Sequence, residues 1–212
     1  MKKFSATSVL VIIIMTMSLS FLYACNSDND NNNNLNNNVP NQTLTDADKD
    51  ALLFMLEEEK LARDTYMFLN DQWSLNQFAN IKNSEQMHMD AVENLLIQYN
   101  VEYTILPEGQ FENQTLQNFY NQFIVDGAVS QANALQIGAT IEDLDIVDLE
   151  THLNESSNTD LINVFESLQC GSRNHLRSFV FGIENAGNTY IPQFLSPEDY
   201  DAIIAGSHEQ CN

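Results

Sequence analysis

The chain has 212 residues, with 30 acidic against 8 basic side chains, a formal charge of −22 and 43% hydrophobic residues. That suffices for one buried core in a single domain with accessory segments. So negative a surface repels phosphate backbones, which argues against nucleic-acid binding and against charge-driven adhesion to an anionic membrane. No nucleophilic triad, phosphate-binding glycine loop or nucleotide motif occurs.

Residues 1–24 read as a signal peptide. Lys2 and Lys3 form a basic start. The apolar run from Val9 to Leu22 is broken by Thr16, Ser18 and Ser20, too short and too polar for a membrane span. It ends at Leu22-Tyr23-Ala24-Cys25, which resembles a bacterial lipobox with Cys25 as the lipidated residue. Ordinary secretion with a free Cys25 is the alternative. Cleavage removes two lysines and no acid, so the charge moves from −22 to −24. The membrane contact then falls to the lipid on Cys25, and stable anchoring takes more than one acyl chain. Residues 25–43 form the lipidated cysteine and an Asn-rich tether with almost nothing to bury, expected to be disordered. Asp28 and Asp30 resemble an export signal that places lipoproteins on the outer surface. The expected location is the cell envelope, on a bacterial outer membrane, periplasmic or surface-exposed.

Residues 44–212 predict an all-α domain. Glycine is scarce, and no alternating hairpin pattern appears. The first helix is predicted over about 45–69, with the stripe Met55, Glu59, Ala62, Tyr66, Leu69. The second spans about 76–99, with Phe78, Ile81, Glu85, His88, Val92, Leu95, Tyr99. About thirty residues follow, with Pro107, Gly109 and a short amphipathic helix around Leu116 to Phe123. The third long helix starts at the N-cap Ser130 and runs to about 153, with Leu135, Gly138, Glu142, Asp145, Leu149. The fourth covers about 160–182, with Leu161, Phe165, Leu168, Ser172, His175, Phe179. A short terminal helix opens at Ser196-Pro197-Glu198-Asp199. Four helices of ~24 residues, each ~36 Å long with one apolar face, make a bundle. The gap between the second and third can cross its length.

Each stripe is broken near its middle by polar groups: Glu59; Glu85 with His88; Glu142 with Asp145; Ser172 with His175. Residues three apart share a helix face, so all four sets point inward and can meet at one level. Buried unpaired carboxylates cost several kcal/mol each. Metal ions, protons, or a hydrogen-bond network including Tyr66 and Tyr99 would each neutralise them. Di-iron and di-manganese bundles use one Glu from each of two helices and Glu-x-x-His from the other two.

Glu59-x-x-Ala62-Arg63-x-x-Tyr66 and Glu85-x-x-His88 are similar to the first two helices of rubrerythrin-type proteins. The segments 57–66 (EEEKLARDTY), 80–88 (NIKNSEQMH), 134–149 (ALQIGATIEDLDIVDL), 171–179 (GSRNHLRSF) and 190–200 (YIPQFLSPEDY) resemble the ferritin-like family called domain of unknown function 2202. The likeness covers about 48–205. It implies a ferritin-like four-helix bundle with one long crossover between the second and third long helices and a short C-terminal helix. It carries no activity with it.

The fourth helix reads Ser172-Arg173-Asn174-His175 where the di-iron pattern has Glu-x-x-His. Asp145, one turn past Glu142, restores the carboxylate count. The expected metal ligands are therefore Glu59, Glu85, His88, Glu142, Asp145 and His175, for iron or another divalent metal. Glu57 and Glu58 read as solvated face, with Glu58 a reserve ligand. His152 reads as a helix-C-terminal histidine, Arg63 as a structural partner of a core carboxylate, and His208 is assigned nothing. Cys170 and Cys211 read as a disulfide or as two free buried thiols, with the bond favoured in an oxidising compartment.

These features support a di-iron oxidoreductase, either ferroxidase or peroxide-reducing. The rivals are a non-catalytic metal binder, and a structural or interaction lipoprotein with a metal-free polar core. Whether the protein is an enzyme stays open. Ferritin-like folds often assemble, so a homo-oligomer is among the expected partners.

Overall fold

The computed structural model describes residues 43–211, which belong to one compact unit, Pro40–Asn212. The expected signal peptide, the expected lipidation at Cys25 and nearly all of the expected Asn-rich tether lie outside the described residues. Six helices follow in order: α1 (Asp46–Trp73), α2 (Asn76–Gln98), α3 (Gln114–Gly127), α4 (Gln131–Glu155), α5 (Thr159–Asn185) and α6 (Pro197–Ala205). No strand occurs among the described residues, and none of these helices is long and apolar enough to cross a membrane. The all-α expectation and the helical bundle hold.

Side-chain capping explains where five of the six helices start, α2 being the exception. Thr45 and Asp48 form a reciprocal capping box on α1. Asn113, Ser130, Asn158 and Ser196 cap α3, α4, α5 and α6 through their side-chain oxygens. Stops were less legible. α1 continues past Leu69 to Trp73 and ends on Ser74 in the left-handed region (φ 53°). α5 likewise runs three residues past Gly182.

α1 and α2 form one helical hairpin, and α4 and α5 a second. Contacts at the ends set their direction. Ser156 Oγ, beyond α4, donates to Asp48 at the start of α1, while the Tyr66 hydroxyl donates to Gly138 O early in α4. Gln98 Nε2, ending α2, donates to Asp160 at the start of α5. Each helix is thus antiparallel to its neighbour, and residues 99–130 must travel from one end of the bundle to the other. α3 lies on this path and packs on α1 and α4.

The crossover is pinned to the outer side of α1. Lys60 Nζ donates to Asp64 Oδ2 (2.5 Å), Pro107 O (3.0 Å) and Gln110 O (3.1 Å), and sits 4.2 Å from the Phe111 ring centroid. Asp64 also accepts from Arg63 and from Gly109 N. Glu57 accepts from the backbone N–H groups of Glu112 and Asn113. Glu57 is therefore not simply solvated, and Arg63 pairs with Asp64 rather than with a carboxylate of the central cluster.

Two apolar cores fill the bundle. One gathers Leu61, Tyr66, Leu69, Phe78, Leu135 and Phe179. The other gathers Leu52, Met55, Met89, Val92, Leu149 and Phe165. Between them the stripes turn polar, so the carboxylates and histidines form a layer sealed from both ends. Gly138 shapes the first core, because a Cβ there would lie 2.4 Å from Phe179 Cε1.

Candidate metal centre

Four helices contribute to the polar layer: Glu58 and Glu59 from α1, Glu85 and His88 from α2, Glu142 and Asp145 from α4, Ser172 and His175 from α5. The glutamates and Asp145 are all 5% exposed or less.

Glu85 is the hinge of the arrangement. Its Oε2 lies 2.8 Å from His88 Nδ1, and its Oε1 lies 2.9 Å from His175 Nδ1. His88 Nδ1 is also 3.1 Å from Glu59 Oε2, and His175 Nδ1 is 3.4 Å from Glu142 Oε2. The rings stack at 5.6 Å between centroids. The result is a near-symmetric chain, Glu59–His88–Glu85–His175–Glu142. The Tyr66 hydroxyl closes it by donating to Glu142 Oε1 at 2.5 Å.

Two groups of three side chains within it could each hold a cation: Glu59, Glu85 and His88; and Glu85, Glu142 and His175. In each, one donor atom per residue lies within 4.8 Å of the others. Asp145 belongs to neither. It accepts from the Ser172 hydroxyl, which also donates to Leu168 O. Ser172 thus occupies the place of a fourth glutamate and is used to orient Asp145. Of the six expected ligands, the structure brings five into the two groups and sets Asp145 beside them.

The electrostatics follow from burial and neighbours. Burial pushes Glu59 up to about 7 against the pull of His88, and pushes Glu142 up to about 7 with help from Glu85. Burial also opposes ionisation of Glu85, but His175 and His88 outweigh it and hold this carboxyl far below the usual range. Burial works against charge on His175 too, yet Glu85 and Glu142 raise it to about 10. His88 is raised in the same way, by Glu59 and Glu85 against burial. These directions favour imidazolium rings on either side of an ionised Glu85 in the metal-free layer.

That state leaves polar atoms over. Glu59 Oε1, Glu85 Oε1, Asp145 Oδ1 and His175 Nδ1 are buried without a hydrogen-bond partner. His175 Nδ1 and Glu85 Oε1 nonetheless approach to 2.9 Å, a close charge contact. Carboxylate oxygens plus imidazole nitrogens suit first-row divalent metals. The orphaned atoms and the donor set therefore fit a cation pair.

Glu58 departs from the expected solvated face. It is 1% exposed, both its oxygens lack a hydrogen-bond partner, and burial with Asp145 and Asp148 pushes its carboxyl well up. Its burial has a sequence signal: it sits three residues from both Met55 and Leu61. Tyr99 does not join the layer. Its hydroxyl donates to Asp160 at the start of α5, one end of the bundle. His152 packs against Phe54 and Phe165, and burial lowers its pKa, so the neutral ring is favoured over a dipole-stabilised cation. Gly171, unassigned from sequence, makes room for His88. Glycine inside a predicted helix was the available signal.

An acidic helical bundle whose middle layer gathers carboxylates around two histidines defines the class. The chain belongs to the uncharacterized protein domain family DUF2202, which matches residues 48–207. It is 44% identical over 176 residues to the uncharacterized protein MJ0754 of Methanocaldococcus jannaschii, a span of 82% of this chain and 95% of that protein. The crystal structure of hypothetical protein MJ0754 matches with a TM-score of 0.79 and 45% identity, covering 81% of this chain and 99% of that one. These kinships carry a fold. Function rests on the site.

Proposed function

We propose that the polar layer binds one or two divalent metal ions, iron favoured, in a ferritin-like bundle borne by an exported lipoprotein. The observation that carries this reading is the sharing of Glu85, whose two carboxylate oxygens divide between the Nδ1 atoms of His88 and His175. Glu59 and His88 would serve one position, Glu142 and His175 the other, with Glu85 between them. Bound iron would supply one-electron chemistry towards dioxygen or peroxide, the basis of a ferroxidase or peroxide reductase. The chain's own part is to hold the donors, to fix Glu142 through Tyr66, and to exclude water with the flanking apolar cores. The order of basic start, apolar run and Cys25 supports export and lipid anchoring at the envelope.

Elemental analysis of the purified protein before and after aerobic Fe(II) loading tests the proposal. About two metal ions per chain are expected, with Fe(II) oxidised over many equivalents. Absence of bound metal under every loading condition would end the reading. One observation favours a non-catalytic binder: Ser172 stands where a bridging carboxylate would, and Asp145 is tied to it. That reading predicts oxidation that stops with the first one or two equivalents bound.

A further inference from the structure

The inner atoms of the two histidines are their Nδ1 atoms. Their outer edges meet a groove of about 860 Å³ between α2 and α5, which both His88 and His175 line. Gly171 marks the point of contact. A Cβ built there would lie 2.7 Å from His88 Nε2 and 2.8 Å from His88 Cε1. The glycine therefore leaves the face of α5 low where the imidazole reaches the groove. A second groove of about 890 Å³, between α1 and residues 101–113, is lined by none of the cluster residues.

One wall of the first groove is the C-terminal tail, through His208, Glu209, Gln210 and Cys211. The tail beyond α6 has no regular structure, and three kinds of bond tie it to α5. Arg173 and Arg177 donate to the Glu209 carboxylate. Asn174 Nδ2 donates to Glu209 O at 3.0 Å, and Glu209 N donates back to Asn174 Oδ1 at 2.9 Å. Cys211 is joined to Cys170 by a disulfide. Elsewhere the lining offers neutral oxygen donors, among them Ser84, Asn163 and Ser167.

We infer that this groove is the port through which a hydrated divalent cation reaches the cluster, and that the disulfide-held tail sets its width. The inference rests on the metal-binding reading above. The acidic surface raises the local concentration of cations. Neutral oxygens and the His208 imidazole then offer exchangeable ligands on the way to His88 and His175. With two strong ties, the charge clamp and the disulfide, the tail keeps the opening narrow. Cutting the covalent tie leaves only bonds that break and reform through local opening.

Hydrogen–deuterium exchange at the imidazole Cε1 positions, read by mass spectrometry on the full metal-free chain, reports access without needing a metal. Cys170→Ser/Cys211→Ser together free the tail. Ser84→Trp and Ala91→Trp, made separately, fill the groove at positions outside the cluster. Exchange at His88 and His175 should rise about tenfold in the double-serine variant and fall in each tryptophan variant, with His152 unchanged as the reference. The initial rate of anaerobic Co(II) uptake, with Co(II) as the only metal, should follow the same order, and its final stoichiometry should stay constant. Equal exchange at His88 and His175 in every form would overturn the port. Exchange in the expected order with no Co(II) bound by any form would instead overturn the cation and the metal-binding reading beneath it.

Discussion

Replacing Glu85 by glutamine keeps the side-chain volume and removes the one carboxylate that both candidate metal positions share. His88 and His175 then lose the anion that flanks them at 2.8 and 2.9 Å. Leaving buried ionic partners uncompensated costs about 3–5 kcal/mol. Glu59 remains 3.1 Å from His88 and Glu142 remains 3.4 Å from His175, so the lower end, about 3 kcal/mol, is expected. In a domain of this size that lowers Tm by roughly 6–12 °C. The metal effect is larger and distinct. Glu85→Gln should reduce bound metal to none, whereas Glu59→Gln removes a ligand from one position and should leave about one ion per chain. Elemental analysis and calorimetric melts, each with and without added metal, read both effects. If Glu85→Gln and Glu59→Gln lose metal equally and neither changes the melt, Glu85 is not shared and the reasoning fails.

The remaining predictions concern the crossover and pH. Lys60→Met strips a donor from Asp64, Pro107 O and Gln110 O at once and should destabilise the fold by about 2–4 kcal/mol. Chemical denaturation of Lys60→Met and of Lys60→Met/Asp64→Leu checks this, since the double variant removes the stranded carboxylate and should recover part of the loss; an unchanged midpoint in the single variant would contradict it. The metal-free chain should lose stability as pH rises. Glu59 and Glu142 sit near 7 in the folded state against the usual 4.5, so their contribution is present at low pH and fades between those values. His175 sits near 10 against 6.5, so its contribution is full below 6.5 and is lost on the way to 10. Glu85 acts in the opposite sense, because its depressed carboxyl loses stability on acidification below the usual carboxylate range. The metal-free Tm should therefore peak at about pH 4–4.5, where the acid loss from Glu85 balances the fading of the Glu59 and Glu142 contributions. Added divalent metal displaces protons and should bind more tightly as pH rises, so the alkaline fall in Tm shrinks in its presence. A Tm that climbs from pH 6 to 9 without metal would refute this.

Much of the bundle was legible because its causes are local. Caps such as Thr45, Ser130 and Ser196 act within one turn, so helix starts could be read directly. The stripes Met55 to Leu69 and Leu135 to Leu149 report burial against the nearest neighbouring helix, and every member is buried. Glu85 and His88, three apart, had to share a face. What escaped was burial imposed from a distance. α1 is covered on its outer side by the crossover, so Lys60, Asp64 and Thr65 are as buried as its apolar stripe. Helical periodicity cannot see a segment that arrives about fifty residues later.

The amino-acid sequence by itself determined the acidic charge, the helical stripes and the polar layer that interrupts them. These are properties of composition and of spacing along one helix. Only the tertiary structure decided how that layer is divided: Glu85 between two histidines, Asp145 held aside by Ser172, Glu58 inside, Tyr99 at one end of the bundle, and the tail lying beside Gly171. Each of these depends on the rotation and axial offset of one helix against another. Those are settled by packing among residues distant in the chain, which no single stretch of sequence encodes.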